Sequence, residues 1–274
     1  MKKILVPIDL SGESSGLINY AVAFANEFKY RLLFFHSLVE LIPTNTTQAN
    51  YEATVLSLIQ VKEKQLIKKI AKGCKIIGIA PSAIHTDYEV RYGGRIADAI
   101  LEVANAKEVD LILISTHGSS GLKKFFFGSS TSSVISNAEV PVLAIPLRYK
   151  FKTIKQIIYA TDLKNPVNEL KLVKFLANKF ETKVEALNFN YGELSTNFDF
   201  QNLLKSSDVN FIEVRTNIEY TLLDNIRTYM KRKPACFLCM FTKHNSTFTK
   251  WFDGINVSGL VEKLAFPLLS LPKT

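Results

Sequence analysis

The sequence predicts an α/β protein of two tandem domains, each a mostly parallel sheet flanked by helices. Three observations carry that prediction. Short apolar runs such as Ile4-Leu5-Val6 and Leu111-Ile112-Leu113-Ile114 do not alternate with polar residues, as expected for strands covered on both faces. Helical periodicities fall between these runs. The order of elements in the first half returns in the second, and repeated β-α-β patterns build parallel sheets with right-handed crossovers. A length of 274 residues suits two domains of about 140 residues each.

Taken in order, Ile4-Leu5-Val6-Pro7-Ile8-Asp9-Leu10-Ser11 returns as Ile157-Ile158-Tyr159-Ala160-Thr161-Asp162-Leu163-Lys164. Each is an apolar strand ending in Asp-Leu. A helix comes next in each half. Its apolar face is Leu17, Ala21, Phe24 and Phe28 in the first, with Ser11 or Ser14 as cap, and Leu170, Val173, Leu176 and Phe180 in the second. Second strands are expected at Arg31 to His36 and Lys183 to Phe189. Third strands share Glu89-Val90-Arg91 with Glu213-Val214-Arg215, and helices come after them at Arg95 to Ala106 and Tyr220 to Lys231. The first half is longer because of Val39 to Gln60. There a polar loop, Thr44 to Asn50, leads into an amphipathic helix expected to end near Gly73.

The ends of the two halves agree best. Gly128 is followed 13 positions later by Pro141-Val142-Leu143-Ala144-Ile145-Pro146, and Gly254 by Pro267-Leu268-Leu269-Ser270-Leu271-Pro272 at the same offset. The boundary is placed near Arg148-Tyr149-Lys150, giving domains 1–148 and 149–274.

Composition narrows the function classes. The net charge is +9, but the basic residues are scattered, with only short clusters such as Lys231-Arg232-Lys233. Without interleaved aromatics or zinc-finger spacing they read as solvated helix faces, so no nucleic-acid partner is expected. No apolar run has the length of a membrane span. The apolar stretch at the N-terminus stops at Pro7 and Asp9, too short for a signal peptide. Three widely placed cysteines fit a reducing compartment, so the expected location is the cytoplasm. Cys236-Phe237-Leu238-Cys239 lies in an apolar strand and reads as buried core. His36, His85, His117 and His244 show no metal-ligand spacing. No nucleophile elbow, Walker loop or carboxylate pair is present, so no catalytic or metal-binding residue is assigned.

The most informative stretch is the fourth strand together with the loop and helix start beyond it. Leu111 to Ile114 ends in Ser115-Thr116-His117-Gly118, and the chain then passes Gly121 to reach Gly128-Ser129-Ser130-Thr131 and a short helical pattern. Glycine and hydroxyl residues at a helix start present unpaired N–H groups to a phosphate. The same residues also make an ordinary capped turn, and both readings stand at this point.

These residues resemble the universal stress protein family over essentially the whole first half. The nucleotide-binding members carry, after the fourth strand, Gly, two residues, Gly, nine residues, then Gly-Ser/Thr. Here the pattern reads Ser115, two residues, Gly118, nine residues, Gly128-Ser129. The resemblance implies a five-stranded sheet of order 3-2-1-4-5 and an adenine nucleotide, ATP or AMP, with Mg²⁺ accompanying ATP. It places Pro7 and Asp9 at the adenine and ribose end, and Ser37 where the family has a valine in the adenine pocket. Ile114, Ser115, His117 and Gly118 would flank ribose and phosphates, and Gly128, Ser129, Ser130 and Thr131 would hold the phosphates.

Ser115 is the departure. If that position needs a positive φ, serine costs on the order of 1 kcal/mol, about fivefold in affinity. The second half departs further, with Phe241, His244 and Gly254-Ile255 in the corresponding places. It reads as a degenerate domain that kept its fold. The resemblance implies a stress-linked regulatory protein rather than a metabolic enzyme. The alternatives are a nucleotide-free interaction scaffold with an unknown protein partner, and a slow ATPase. Family domains pair through their last strands, so Val142 to Ile145 and Leu268 to Leu271 are expected to pair within one chain as a pseudo-dimer, with further homodimerisation left open.

Overall fold

The structure is a computed structural model. It describes residues 2–40, 42, 47–116, 127–190, 202, 204, 208–216, 221–233, 235–242 and 265–272. The chain divides into two compact units, Met1–Phe151 and Lys152–Thr274.

In the first unit, β1 (Lys3–Pro7) lies between β2 (Arg31–Leu38) and β4 (Leu111–Ser115). β3 (Thr86–Tyr92) pairs with β2, and β5 (Val142–Ile145) pairs with β4. All pairings are parallel, so the order is 3-2-1-4-5. Ile4, Leu5 and Val6 are fully buried. That explains the unbroken apolar run of β1: a central parallel strand is covered on both faces.

The helices of this unit are α1 (Ser14–Phe28), α2 (Gln48–Ile77), α3 (Ile96–Ala106) and α4 (Phe127–Asn137). Phe24 and Tyr20 of α1 are almost fully buried. The Tyr20 ring meets that of Phe151 edge-on at 5.4 Å. The N-cap of α1 is Glu13, without a side-chain cap bond. Neither expected serine caps it: Ser14 Oγ donates to the Ser11 carbonyl at 2.7 Å, and Ser11 binds Asp9 instead.

α2 departs from expectation at its end. It begins at Gln48, inside the loop expected to run to Asn50, with Thr47 Oγ1 accepting from Asn50 N–H at 3.3 Å. It then runs past Gly73 to Ile77, where Gly78 closes it in the left-handed conformation with φ 75°. Gly73 is a packing glycine rather than a stop. A Cβ there would lie 2.6 Å from Ile18 Cγ2, so its bare backbone is what lets α2 approach α1.

The second unit repeats the plan with β6 (Gln156–Ala160), α5 (Pro166–Lys179), β7 (Lys183–Asn190), β8 (Val209–Arg215), α6 (Leu222–Met230), β9 (Cys236–Thr242) and β10 (Leu268–Pro272). β6 lies between β7 and β9, with β8 beyond β7 and β10 beyond β9, all parallel. The strand order is again 3-2-1-4-5. Left-handed backbone recurs at matching places: Lys29 and Glu181 after the first helix of each unit, and Glu108 and Ala235 before the fourth strand.

Candidate functional site

In an open sheet of this order, β1 has its neighbours connected on opposite faces. The carboxyl ends of β1 and β4 therefore border a crevice, the usual ligand position in such sheets. The chain shapes this crevice closely. Beyond Pro7, Ile8 N–H still donates to the Phe35 carbonyl at 2.7 Å. The backbone then turns at Leu10, with φ 59°. Asp9 Oδ1 accepts from Ser11 N–H at 3.1 Å and from Ser11 Oγ at 2.8 Å, an Asx turn that fixes the carboxylate at the strand end. From α2, Lys69 Nζ donates to the Ser11 carbonyl and reaches Ser14 Oγ at 3.4 Å.

His36, in β2, is buried and its Nδ1 lies 2.7 Å from the Ile8 carbonyl. A carbonyl only accepts, so Nδ1 carries the proton and Nε2 is the acceptor of the neutral ring. Burial holds the His36 pKa below the ordinary imidazole value, outweighing the Ile8 carbonyl, which acts the other way.

A cavity of about 370 Å³ opens beside this turn. Its wall includes Pro7, Asp9, His36 and Ser37 from the strand ends, Ile96 and Ile100 from α3, and Glu40, Lys62 and Gln65. Lys62 Nζ and Glu40 Oε1 pair at 2.7 Å. The Ser37 hydroxyl is buried without a hydrogen-bond partner among the described residues.

The predicted site residues separate into several places. Pro7, Asp9, Ile114 and Ser115 meet around a recess of about 20 Å³, room for about one water molecule. Pro7 and Asp9 also face the larger cavity, with Ser37. Ser130 is half-buried and lines another cavity, next to α3. Thr131 is fully buried and its Oγ1 donates to the Ser115 carbonyl at 3.1 Å, tying α4 to the end of β4. Gly128 and Ser129 lie in the first turn of α4, where the structure describes the backbone alone. His117, Gly118 and Gly121 lie outside the described residues. Ser115 closes β4 in register with Ile145 and is not among the positive-φ residues. The steric cost that a left-handed serine would carry does not arise.

Sequence reasoning missed Glu40, Lys62, Gln65, Ile96 and Ile100. Two signals were present. Lys62, Gln65 and Lys69 fall on one helical face, and Gly93-Gly94 directly before α3, with φ 87° and 80°, marks a chain reversal beside the strand ends.

The profile of the universal stress protein family matches residues 1–146, more than half of the chain. The chain belongs to the universal stress protein family. A universal stress protein of Methanocaldococcus jannaschii is 31% identical over 145 residues, covering 53% of this chain and 81% of its own. The crystal structure of a universal stress protein from Archaeoglobus fulgidus matches 99% of this chain and 96% of its own with a TM-score of 0.69 at 14% identity, a likeness of fold. Another universal stress protein, solved in complex with cAMP, is 17% identical over 53% of this chain and 97% of its own, with a TM-score of 0.38.

The second unit of this universal stress protein builds its corresponding strand ends differently. β6 pairs with β9 as β1 does with β4, and the two registers put Phe241 where the first unit has Ser115. The Phe241 ring packs edge-on against Tyr159 at 6.0 Å. Tyr159 Oη donates to buried Glu169 Oε2 at 2.5 Å, and burial together with that carboxylate pushes the phenol pKa well up. Asn188 takes the place of His36, its Nδ2 donating to the Thr161 carbonyl at 2.9 Å. His244, Gly254 and Ile255 lie outside the described residues. Cys236 and Cys239 are buried and form no disulfide among the described residues, and burial raises both thiol pKa values. Among the described residues no cluster of His, Cys, Asp and Glu is arranged to hold a metal ion. No described helix is long and apolar enough to cross a membrane.

Proposed function

We propose that the first unit binds an adenine nucleotide and that the protein acts as a stress-linked regulator through that binding. The observation that carries this reading is the Asp9 turn. It sets a carboxylate at the β1 switch point, with the 370 Å³ cavity on one side and Ser115 on the other. A carboxylate held there can accept from ribose hydroxyls, and the cavity is large and apolar enough, with Pro7, Ile96 and Ile100, to take a base. The Gly128-Ser129 start of α4 supports a phosphate at the same end of the sheet. Bound ATP would bring Mg²⁺ with it.

The second unit is read as a domain that keeps the fold without this ligand. Phe241 supports that reading, because its ring fills the space next to Tyr159 at the corresponding strand ends.

The test is mass spectrometry of small molecules released from the purified, denatured protein, followed by calorimetry with ATP, ADP and AMP. Release or micromolar binding of an adenine nucleotide is expected. A protein that carries none and gives no heat with any of the three is an interaction scaffold, and the nucleotide reading is then abandoned.

A further inference from the structure

A second cavity, of about 300 Å³, opens between the start of α3 and the first turns of α4. Gly94 and Arg95 line it from one side, and Ser130 and Ser133 from the other. Val39 and Ile96 line both this cavity and the 370 Å³ one, so the two adjoin.

Their charges differ. Among the described residues, the larger cavity has the carboxylates of Asp9 and Glu40 against the ammonium of Lys62, which is itself paired to Glu40. The recess beside Ser115 has about 20 Å³ of room, with Asp9 and Glu13 among its described lining residues and Lys69 reaching its wall at Ser14. Among the described residues, the charged residue lining the cavity at α3 is a cation, Arg95. A polyphosphate leaving a nucleoside at Asp9 meets carboxylates in the recess and a guanidinium in the α3 branch. Space favours the branch, about 300 Å³ against about 20 Å³, and the guanidinium there attracts phosphate.

Resting on the nucleotide reading above, we propose that this branch is the subsite for the distal phosphates and that Arg95 selects the triphosphate over the monophosphate. The Arg95 side chain is 81% exposed and its Nε lies 3.7 Å from Asp98 Oδ2, a loose surface pair that costs little to break. Guanidinium is suited to the exchange, since its fork binds phosphate oxygens in a bidentate manner. The Ser130 and Ser133 side chains stand one helical turn apart on the opposite wall and can donate to the same oxygens. The positive φ of Gly93 and Gly94, with no atom within 4 Å of where a Cβ would stand, keeps the approach to Arg95 open.

The experiment measures AMP, ADP and ATP affinities by calorimetry on the full chain, with Mg²⁺ throughout. The wild type and the Arg95→Gln, Arg95→Lys and Ser133→Ala variants are compared. The wild type should prefer ATP to AMP by about tenfold or more, the scale of one charge-assisted hydrogen bond. Arg95→Gln should collapse that ratio, Arg95→Lys should retain part of it, and Ser133→Ala should lower it slightly. An exposed arginine replaced by glutamine leaves the fold intact, so a lost preference reports on phosphate. AMP and ATP binding equally well in the wild type, or a preference that survives Arg95→Gln, overturns the subsite and leaves nucleotide binding standing. Absence of binding for all three nucleotides overturns the nucleotide reading itself.

Discussion

Leu10 and Leu163 adopt the same left-handed backbone, with φ 59° and 60°. Each follows an aspartate whose Oδ1 accepts the N–H two residues on, Ser11 at 3.1 Å in one case and Lys164 at 3.1 Å in the other. A bulky residue in that conformation costs on the order of 1 kcal/mol. Both units carry that cost, although the nucleotide site proposed above is in the first alone. The turn is therefore part of how the fold ends its first strand.

The two aspartates should separate under mutation. Asp9→Ala removes two hydrogen bonds at the turn and should lower stability by about 1 kcal/mol. Asp162→Ala removes one and also removes a buried Oδ2 that lacks a partner among the described residues, so its loss should be smaller. Only Asp9→Ala should weaken nucleotide binding. Urea unfolding and calorimetry on the two variants read these effects, and a nucleotide response to Asp162→Ala would contradict the assignment of the site to the first unit.

Gly128→Asp should abolish nucleotide binding. Gly128 lies in the first turn of α4, where an added carboxylate meets the phosphates with like charge. The variant should keep its helical circular dichroism, because an acidic residue in the first turn suits a helix. Retained affinity would move the phosphates away from this helix start.

His36 predicts an acid-sensitive stability. Its folded pKa is lowered by burial from the ordinary 6.5, so the unfolded chain binds this proton more readily than the folded one. The stabilisation is fully present above pH 6.5 and is lost as pH falls through the depressed folded value. His36→Asn borrows the solution of the second unit, where Asn188 makes the equivalent bond to Thr161. It should keep the fold and flatten the pH dependence below 6.5. Unfolding midpoints measured across that range test it, and an unchanged slope would assign the acid response to another group.

Gly73→Ala should destabilise the protein despite alanine's higher helix propensity. The propensity gain is about 1 kcal/mol. The added methyl would stand 2.6 Å from Ile18 Cγ2 and 3.1 Å from Asn19 Oδ1, and a β-branched neighbour on a helix has little freedom to turn aside. Overpacking of this kind costs about 1–3 kcal/mol. Thermal unfolding showing a stabilised variant would mean that α1 and α2 separate easily.

Much of the fold was legible because its signals are local. Strands buried on both faces read as apolar runs, and the Asp9 and Asp162 turns read as a repeated dipeptide. The end of α2 was misplaced because a glycine carries the same letter whether it ends a helix or lets another helix approach, and only Ile18 distinguishes the two cases. Pro7, Asp9, Ile114 and Ser115 were found together because the family pattern names strand ends. Lys62 and Gln65 were not, since which face of a long helix meets the sheet depends on packing that no spacing within the helix records. The conditional penalty at Ser115 fails for the same reason: its backbone is set by pairing with β5, so Ser115→Gly is expected to leave nucleotide affinity nearly unchanged.

The burial of α2 is concentrated toward its carboxyl end. Its buried residues begin at Leu66 and continue through Ile70, Gly73 and Cys74, while Leu56 and Val61 remain largely exposed. The amide protons of its first four turns therefore have little buried surface protecting them and should exchange with solvent far sooner than those beyond Leu66. Lys62 and Gln65 lie at that frontier, on the wall of the larger cavity. An occupant of the cavity would move the frontier toward the amino end of the helix, so deuterium uptake along this one segment becomes a gauge of occupancy.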